Sequence, residues 1–230
     1  MLYDNIAAIS RRITDAAARS GRKRGDVGLV AVTKTVDAVT IRKAFDAGLR
    51  VFGENRVQEA REKIDYLGGI PGATGDVQWH LIGHLQRNKV KYAVGLFDLI
   101  HSVDSAALAD ELERQASKNG GVQKILVEVK LSDEETKHGV AAAELEHLLV
   151  HISGLKGLAL RGLMTIPPFF GDPEEARPYF RRLRELRDEM QKKGFDLPEL
   201  SMGMSGDFEV AIEEGATLVR IGTAIFGERG

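Results

Sequence analysis

The sequence predicts an α/β protein built as a (β/α)8 TIM barrel. Short apolar, β-branched runs alternate with amphipathic helical stretches from one end of the 230 residues to the other, and there are eight such runs. No Gly-x-Gly-x-x-Gly follows any of them, which removes the main support for the rival, a doubly wound dinucleotide-binding sheet. A chain of this length fills one barrel and buries most of its apolar surface without staples. Residues 1–230 are therefore read as a single domain.

The first expected element is a helix from residue 4 to about residue 19, with Ile6, Ile9 and Ile13 on one face. Strands are expected at 29–34, 50–53, 78–83, 98–103, 124–130, 158–166, 199–204 and 217–223. The stretch Ile125-Leu126-Val127-Glu128-Val129 is nearly continuous in apolar residues, as suits a strand covered on both faces. Helices are expected between the strands at 37–47, 55–67, 105–118, 141–152 and 207–214, with a shorter one after Gln86. The clearest begins at Asp172-Pro173-Glu174-Glu175: Asp172 suits the N-cap, Pro173 the first turn, and Glu175 a capping box. Ala176, Phe180, Leu183 and Met190 follow at helical spacing, and Gly194 supplies the stop. Eight strands have only seven helices between them, so the N-terminal helix takes the vacant place in the outer ring. Residues 68–75 read as a flexible loop.

Composition narrows the function classes. The 32 Lys+Arg against 34 Asp+Glu give a net charge of −2, with no footprint for nucleic acid or an anionic membrane. The Arg22-Lys23-Arg24 triplet reads as a solvated loop. The absence of cysteine removes disulfides, thiolate metal sites and thiol nucleophiles. No secretory signal and no run near the ~18 residues of a membrane span is visible, so a cytoplasmic protein is expected.

In such a barrel the chemistry belongs to the C-terminal ends of the strands. The first strand closes on Lys34. A lysine there is expected to be partly desolvated, which favours the neutral, nucleophilic amine, although structural lysines are far commoner. After the seventh strand comes Ser201-Met202-Gly203-Met204-Ser205-Gly206-Asp207, and the eighth carries Arg220-Ile221-Gly222-Thr223-Ala224. Small hydroxyl residues and glycines at these two places form the fold's recurrent phosphate site. Lysine, phosphate cradle and arginine together suggest pyridoxal 5′-phosphate. His80 and His84 straddle a strand end, and His147 and His151 share an outer helix face without a zincin pattern, so no metal site is expected. Glu213 and Glu214 read as an exposed helix end. Met202 and Met204 suit either core or pocket wall.

Four longer motifs carry a resemblance: Phe52-Gly53-Glu54-Asn55-Arg56-Val57-Gln58-Glu59, Trp79-His80-Leu81-Ile82-Gly83-His84-Leu85-Gln86-Arg87-Asn88-Lys89, Leu200-Ser201-Met202-Gly203-Met204-Ser205, and Val219-Arg220-Ile221-Gly222-Thr223-Ala224-Ile225-Phe226-Gly227. Over essentially its whole length the chain resembles the YggS/PROSC family of pyridoxal phosphate homeostasis proteins. The resemblance implies the alanine-racemase-like barrel of fold type III cofactor proteins, with an extra N-terminal helix and no C-terminal β-domain. It also implies that Lys34 forms a Schiff base with the cofactor. Ser205, Gly222 and Thr223 would then hold the phosphate, and Ser201, Met204 and Asn55 would line the cofactor. Arg220 would face the pyridine nitrogen, and His84 would lie at the mouth.

Guanidinium only donates hydrogen bonds, so a ring nitrogen facing Arg220 must stay unprotonated and is a weaker electron sink. The expected function is a monomeric cofactor-binding regulator that passes pyridoxal phosphate to apo-enzymes. The alternative is a racemase or lyase of low activity. Racemisation needs a second base opposite Lys34, which related racemases take from a tyrosine of the β-domain; here Tyr3, Tyr66, Tyr92 and Tyr179 all fall on expected outer helices. A barrel for another sugar phosphate would leave Lys34 and the motifs unexplained.

Overall fold

A computed structural model of the chain describes residues 1–68, 77–132, 134 and 137–227. The loop expected at 68–75 lies, beyond Gly68, outside the described residues. The order is α1 (Leu2–Arg19), β1 (Gly28–Val32), α2 (Ala38–Asp46), β2 (Val51–Glu54), α3 (Val57–Gly68), β3 (Gln78–Leu81), α4 (Val90–Ala93), β4 (Leu99–Val103) and α5 (Ala106–Lys118). It continues with β5 (Gln123–Lys130), β6 (Val140–Ala141), α6 (Leu145–Ser153), β7 (Leu158–Met164), α7 (Arg177–Lys192), β8 (Glu199–Ser201), α8 (Phe208–Glu213), β9 (Leu218–Ile221) and α9 (Thr223–Phe226). Strands β4-β3-β2-β1-β9-β8-β7-β5 pair side by side in parallel, and β4 pairs with β5 to close a ring of eight. No described helix is long and apolar enough to cross a membrane.

The period-two alternation of the strands sorts side chains into two layers. Val30, Val32 and Ile82 form one small cluster inside the barrel, and Leu99, Leu126 and Met164 another. The intervening residues, such as Ala31, Phe52, Trp79, Leu81 and Ile125, join the larger core between strands and helices. Trp79 lies tilted against Phe52 there, ring centroids 5.4 Å apart.

The N-terminal helix takes its expected place in the ring. Its stripe of Ile6, Ile9 and Ile13 is buried, and it is stitched to the far end of the sequence. Arg12 pairs with Glu209 at 2.7 Å, Arg19 with Glu213 at 2.8 Å, and Asn5 Nδ2 donates to Ile225 O at 2.9 Å.

Several expectations are corrected. Five strands, β1, β3, β7, β8 and β9, stop two or three residues early at their C-terminal ends, because those residues turn into the loops that build the site, while β2 runs one residue longer than expected. β6, a two-residue strand paired with Val129 and Lys130 of β5, was not foreseen. The segment after Asp172 opens as a single 3-10 turn, Pro173–Ala176, and Asp172 caps Glu174 N–H at 3.0 Å rather than Glu175. Pro178 has no N–H to donate back into that turn, so the α-helix starts afresh at Arg177. Glu214 is buried rather than exposed: Arg177, Arg181 and Arg184 of α7 reach it at 3.2, 3.0 and 3.1 Å. Nor is Arg22 a solvated loop residue, since it donates to Ile212 O and Ala216 O at 3.2 and 2.8 Å.

Candidate functional site

A cavity of about 650 Å³ opens at the C-terminal ends of the strands, within the range usual for small-ligand sites. Lys34, Asn55, His84, Met204, Ser205, Arg220, Gly222 and Thr223 all line it. Ser201 does not: it is fully buried behind Arg220. Met202 is core and Met204 is pocket wall.

Lys34 stands two residues beyond β1, half-buried, in a turn held from both sides. Before it, Thr33 O accepts from Lys63 Nζ at 2.6 Å. After it, Thr35 adopts φ +61, a left-handed conformation uncommon for a β-branched residue. Thr35 N–H donates to Glu59 Oε1 at 2.5 Å, which fixes that turn. Lys63 also binds Glu54 Oε1 at 2.8 Å and Glu59 Oε1 at 2.6 Å, and the Thr33 hydroxyl donates to Glu54 Oε1. This cluster sits outside the barrel wall, between β2 and α3, and burial raises the Glu54 carboxyl above its ordinary pKa.

The floor is a chain of polar groups inside the barrel. Arg220 Nη1 donates to Ser201 Oγ at 2.6 Å and Nη2 donates to Thr165 O at 2.9 Å. Ser201 Oγ lies 2.9 Å from His101 Nδ1, and His101 Nε2 lies 3.0 Å from His80 Nδ1. The hydroxyl accepts from Arg220, which leaves its proton for His101 Nδ1. His101 then carries its hydrogen on Nε2 and donates to a bare His80 Nδ1. Burial keeps both rings neutral, with the His80 pKa lowered to about 4 and that of His101 well below its ordinary value. Burial also lowers Arg220, to about 10, which leaves it a cation at neutral pH. Both of its hydrogen bonds go to uncharged oxygens, so further N–H donors remain for a ligand in the cavity.

Opposite Lys34, the loop after β8 meets the start of α9. Gly222 N–H and Ala224 N–H both donate to Ser205 Oγ at 3.3 Å. These are long bonds to a weak acceptor, in the place where an anionic oxygen would bind better. The cavity thus offers an amine, an anion cradle and a buried cation.

Sequence reasoning missed two carboxyls in the lining, Glu128 and Asp207. Burial raises Glu128 to about 7, with Asp104 adding to the rise and Arg220 and Lys137 opposing it. The signal was available: Lys124, Glu128 and Lys130 share one parity in an otherwise apolar strand, which puts them on the inner face. Asp207 is raised by burial and accepts Met204 N–H at 2.6 Å. No tyrosine lines the cavity among the described residues. Tyr179 packs behind the lining Phe170, ring centroids 5.7 Å apart.

Residues 5–230 match the model of the alanine racemase N-terminal domain. The chain belongs to that family. Within it, the chain is 50% identical over 227 residues, 98% of its length and 97% of the relative's, to a pyridoxal phosphate homeostasis protein of Aquifex aeolicus. Identity to the protein of the same name from Vibrio cholerae is 41%, over 99% of the chain and 96% of the relative. The chain is thus a member of the pyridoxal phosphate homeostasis proteins. Among solved structures it is similar to PipY of Synechococcus elongatus with pyridoxal phosphate bound, at a TM-score of 0.86, 41% identity and coverage of 99% of this chain and 100% of that one. Family membership agrees with the resemblance read from the motifs, and the closed barrel with the fold they implied.

Proposed function

We propose that the protein binds pyridoxal 5′-phosphate and holds it as a reserve in the cytoplasmic balance of vitamin B6 and amino acids, as a monomer that passes the cofactor to apo-enzymes. One observation carries the reading: Lys34, the Ser205 cradle and the buried Arg220 converge on a single cavity. Bound there, the cofactor supplies an aldehyde carbon for Lys34 Nζ to join with loss of one water, beside a phosphate dianion and an aromatic ring. Ser205, Gly222 and Thr223 would hold the phosphate, and Arg220 would face the ring nitrogen. Asn55, Met204 and His84 would bound the ring; all of them line the cavity. Ser201 acts through Arg220, which it orients.

Borohydride treatment of the protein loaded with pyridoxal phosphate, followed by peptide mapping, tests this. The label is expected on Lys34; a label elsewhere, or none, overturns the assignment. Ser205→Ala removes a hydroxyl from the phosphate cradle, worth roughly 1.5–3 kcal/mol when the acceptor is charged. Affinity for pyridoxal phosphate should then fall about ten- to a hundredfold, with little change for unphosphorylated pyridoxal.

A racemase or lyase of low activity is the second reading, favoured by Glu128, whose pKa near 7 suits proton transfer. The carrier reading predicts little α-deuterium incorporation into L-alanine or L-serine in deuterated water. Rapid exchange that Glu128→Gln abolishes would decide for the enzyme.

A further inference from the structure

We propose that His84, Asp104 and His138 form a binding site for one divalent transition-metal ion at the lip of the cavity. One ligand atom from each lies within 4.8 Å of the other two. His84 Nδ1 is 3.7 Å from Asp104 Oδ2, and the two imidazoles stack with centroids 3.8 Å apart and planes 14° from parallel. Ligands at the 2.0–2.2 Å bond lengths of a tetrahedral zinc site stand about 3.3 Å from one another. Closing the set on an ion therefore needs the ligand atoms to draw in by up to about 1.5 Å and the two rings to tilt out of their stack, so that their in-plane lone pairs converge. All three side chains are at least partly open to solvent and free to make that adjustment.

The backbone brings the three together. His84 follows Gly83, where a Cβ would stand 2.5 Å from Asn55 O. Gly83 O accepts from the hydroxyl of Ser102, two residues before Asp104, at 2.7 Å. On the other flank, His138 precedes Gly139 at φ +123, where a Cβ would fall 2.6 Å from Lys130 N. The pairing of Val140 with Val129 holds that segment against β5. The ligands thus hang from three strand ends that are fastened to one another.

Asp104 brings one carboxylate to the set, and Glu128 and Lys137 line the same cavity beside it. Two imidazole nitrogens and one carboxylate suit zinc, cobalt, nickel or copper; magnesium and calcium prefer oxygen-only cages. Three protein ligands leave at least one position for water. The three residues span 54 positions of sequence without a motif, so residue spacing gave no sign of them and led to the opposite expectation.

The test is titration with zinc or cobalt, run on cofactor-free protein, where no cofactor competes for the ion, and on borohydride-reduced protein. One ion per chain is expected in both, with cobalt giving the stronger visible bands of four- or five-coordination. His84→Ala and His138→Ala should each weaken binding at least tenfold, and Asp104→Asn less. The outer-helix double variant His147→Ala/His151→Ala should leave binding unchanged. Absence of binding to the cofactor-free protein, or equal binding by wild type, His84→Ala and His138→Ala, overturns the proposal.

Discussion

Two buried polar clusters lie on opposite faces of the barrel wall and handle charge in opposite ways. Outside the wall, Lys63, Glu54, Glu59 and Thr33 form a set in which the cation meets two carboxylates. One oxygen of that set, Glu54 Oε2, is buried without a hydrogen-bond partner, and what the set holds is the backbone on either side of Lys34. Inside the wall, Arg220 hydrogen-bonds only a hydroxyl and a carbonyl, backed by two neutral histidines, and the carboxyls of Glu128 and Asp207 act on it through space alone. N–H donors are left for a ligand. A buried cation bonded to its carboxylates is scaffolding, whereas one bonded only to neutral acceptors keeps donors for a counterpart.

The largest expected effect comes from breaking the outer set. Lys63→Met strands two carboxylates and should cost roughly 3–5 kcal/mol in urea unfolding at pH 7. The low end applies because Glu54 can take up a proton. Pairing it with Glu54→Leu should restore most of the loss, since an ion pair and an apolar pair of similar volume are near equivalents. If the single variant is as stable as wild type, the two clusters do not differ in the way described.

The inner chain should answer to pH. His80 binds its proton at about 4 in the folded protein, below the ordinary 6.5, so the unfolded chain takes up protons first. Its contribution is fully present above pH 6.5 and lost as pH falls toward 4, by about 3 kcal/mol at most. His101 acts in the same direction. Glu128 opposes them, because a carboxyl raised to about 7 stabilises the fold below pH 4.5 and loses that contribution as pH rises through 7. Unfolding of Glu128→Gln between pH 7 and pH 4.5 should therefore show a steeper acid loss than wild type.

A smaller effect is expected from Ser201→Ala, about 1–3 kcal/mol, because Arg220 and His101 each lose a buried partner. Nitrogen chemical shifts should find His101 and His80 both protonated on Nε2 in the wild type, with that pattern disturbed in the variant. Smallest is Glu59→Gln. Its side chain is partly exposed, and the loss should stay near 0.5–1 kcal/mol, with looser retention of cofactor on Lys34 as the more sensitive measurement.

The outer architecture was legible because apolar, β-branched runs such as Ile125–Val129 have one physical use, and because each strand end is marked by a change of residue type. Lys34, Ser205 and Arg220 were legible for the same reason. Glu128 was passed over as the one polar residue of a run read as nearly continuously apolar. His101 and the Lys63 cluster depend on which strands become neighbours, which spacing along one strand does not encode. Glu214 was misread because its burial is imposed by the arginines of α7, some 30 residues earlier in the sequence.

The seam between α1 and α8 has a consequence for how the protein is made. Helix α1 is made well before its cover, since the partner of Arg12 is Glu209, 197 residues later. At roughly 5–20 residues per second, the isoleucine stripe waits about 10–40 s for its cover. Through that interval the nascent chain carries an amphipathic helix with an open apolar face. Synthesis, rather than collapse, then sets the time at which the ring can close.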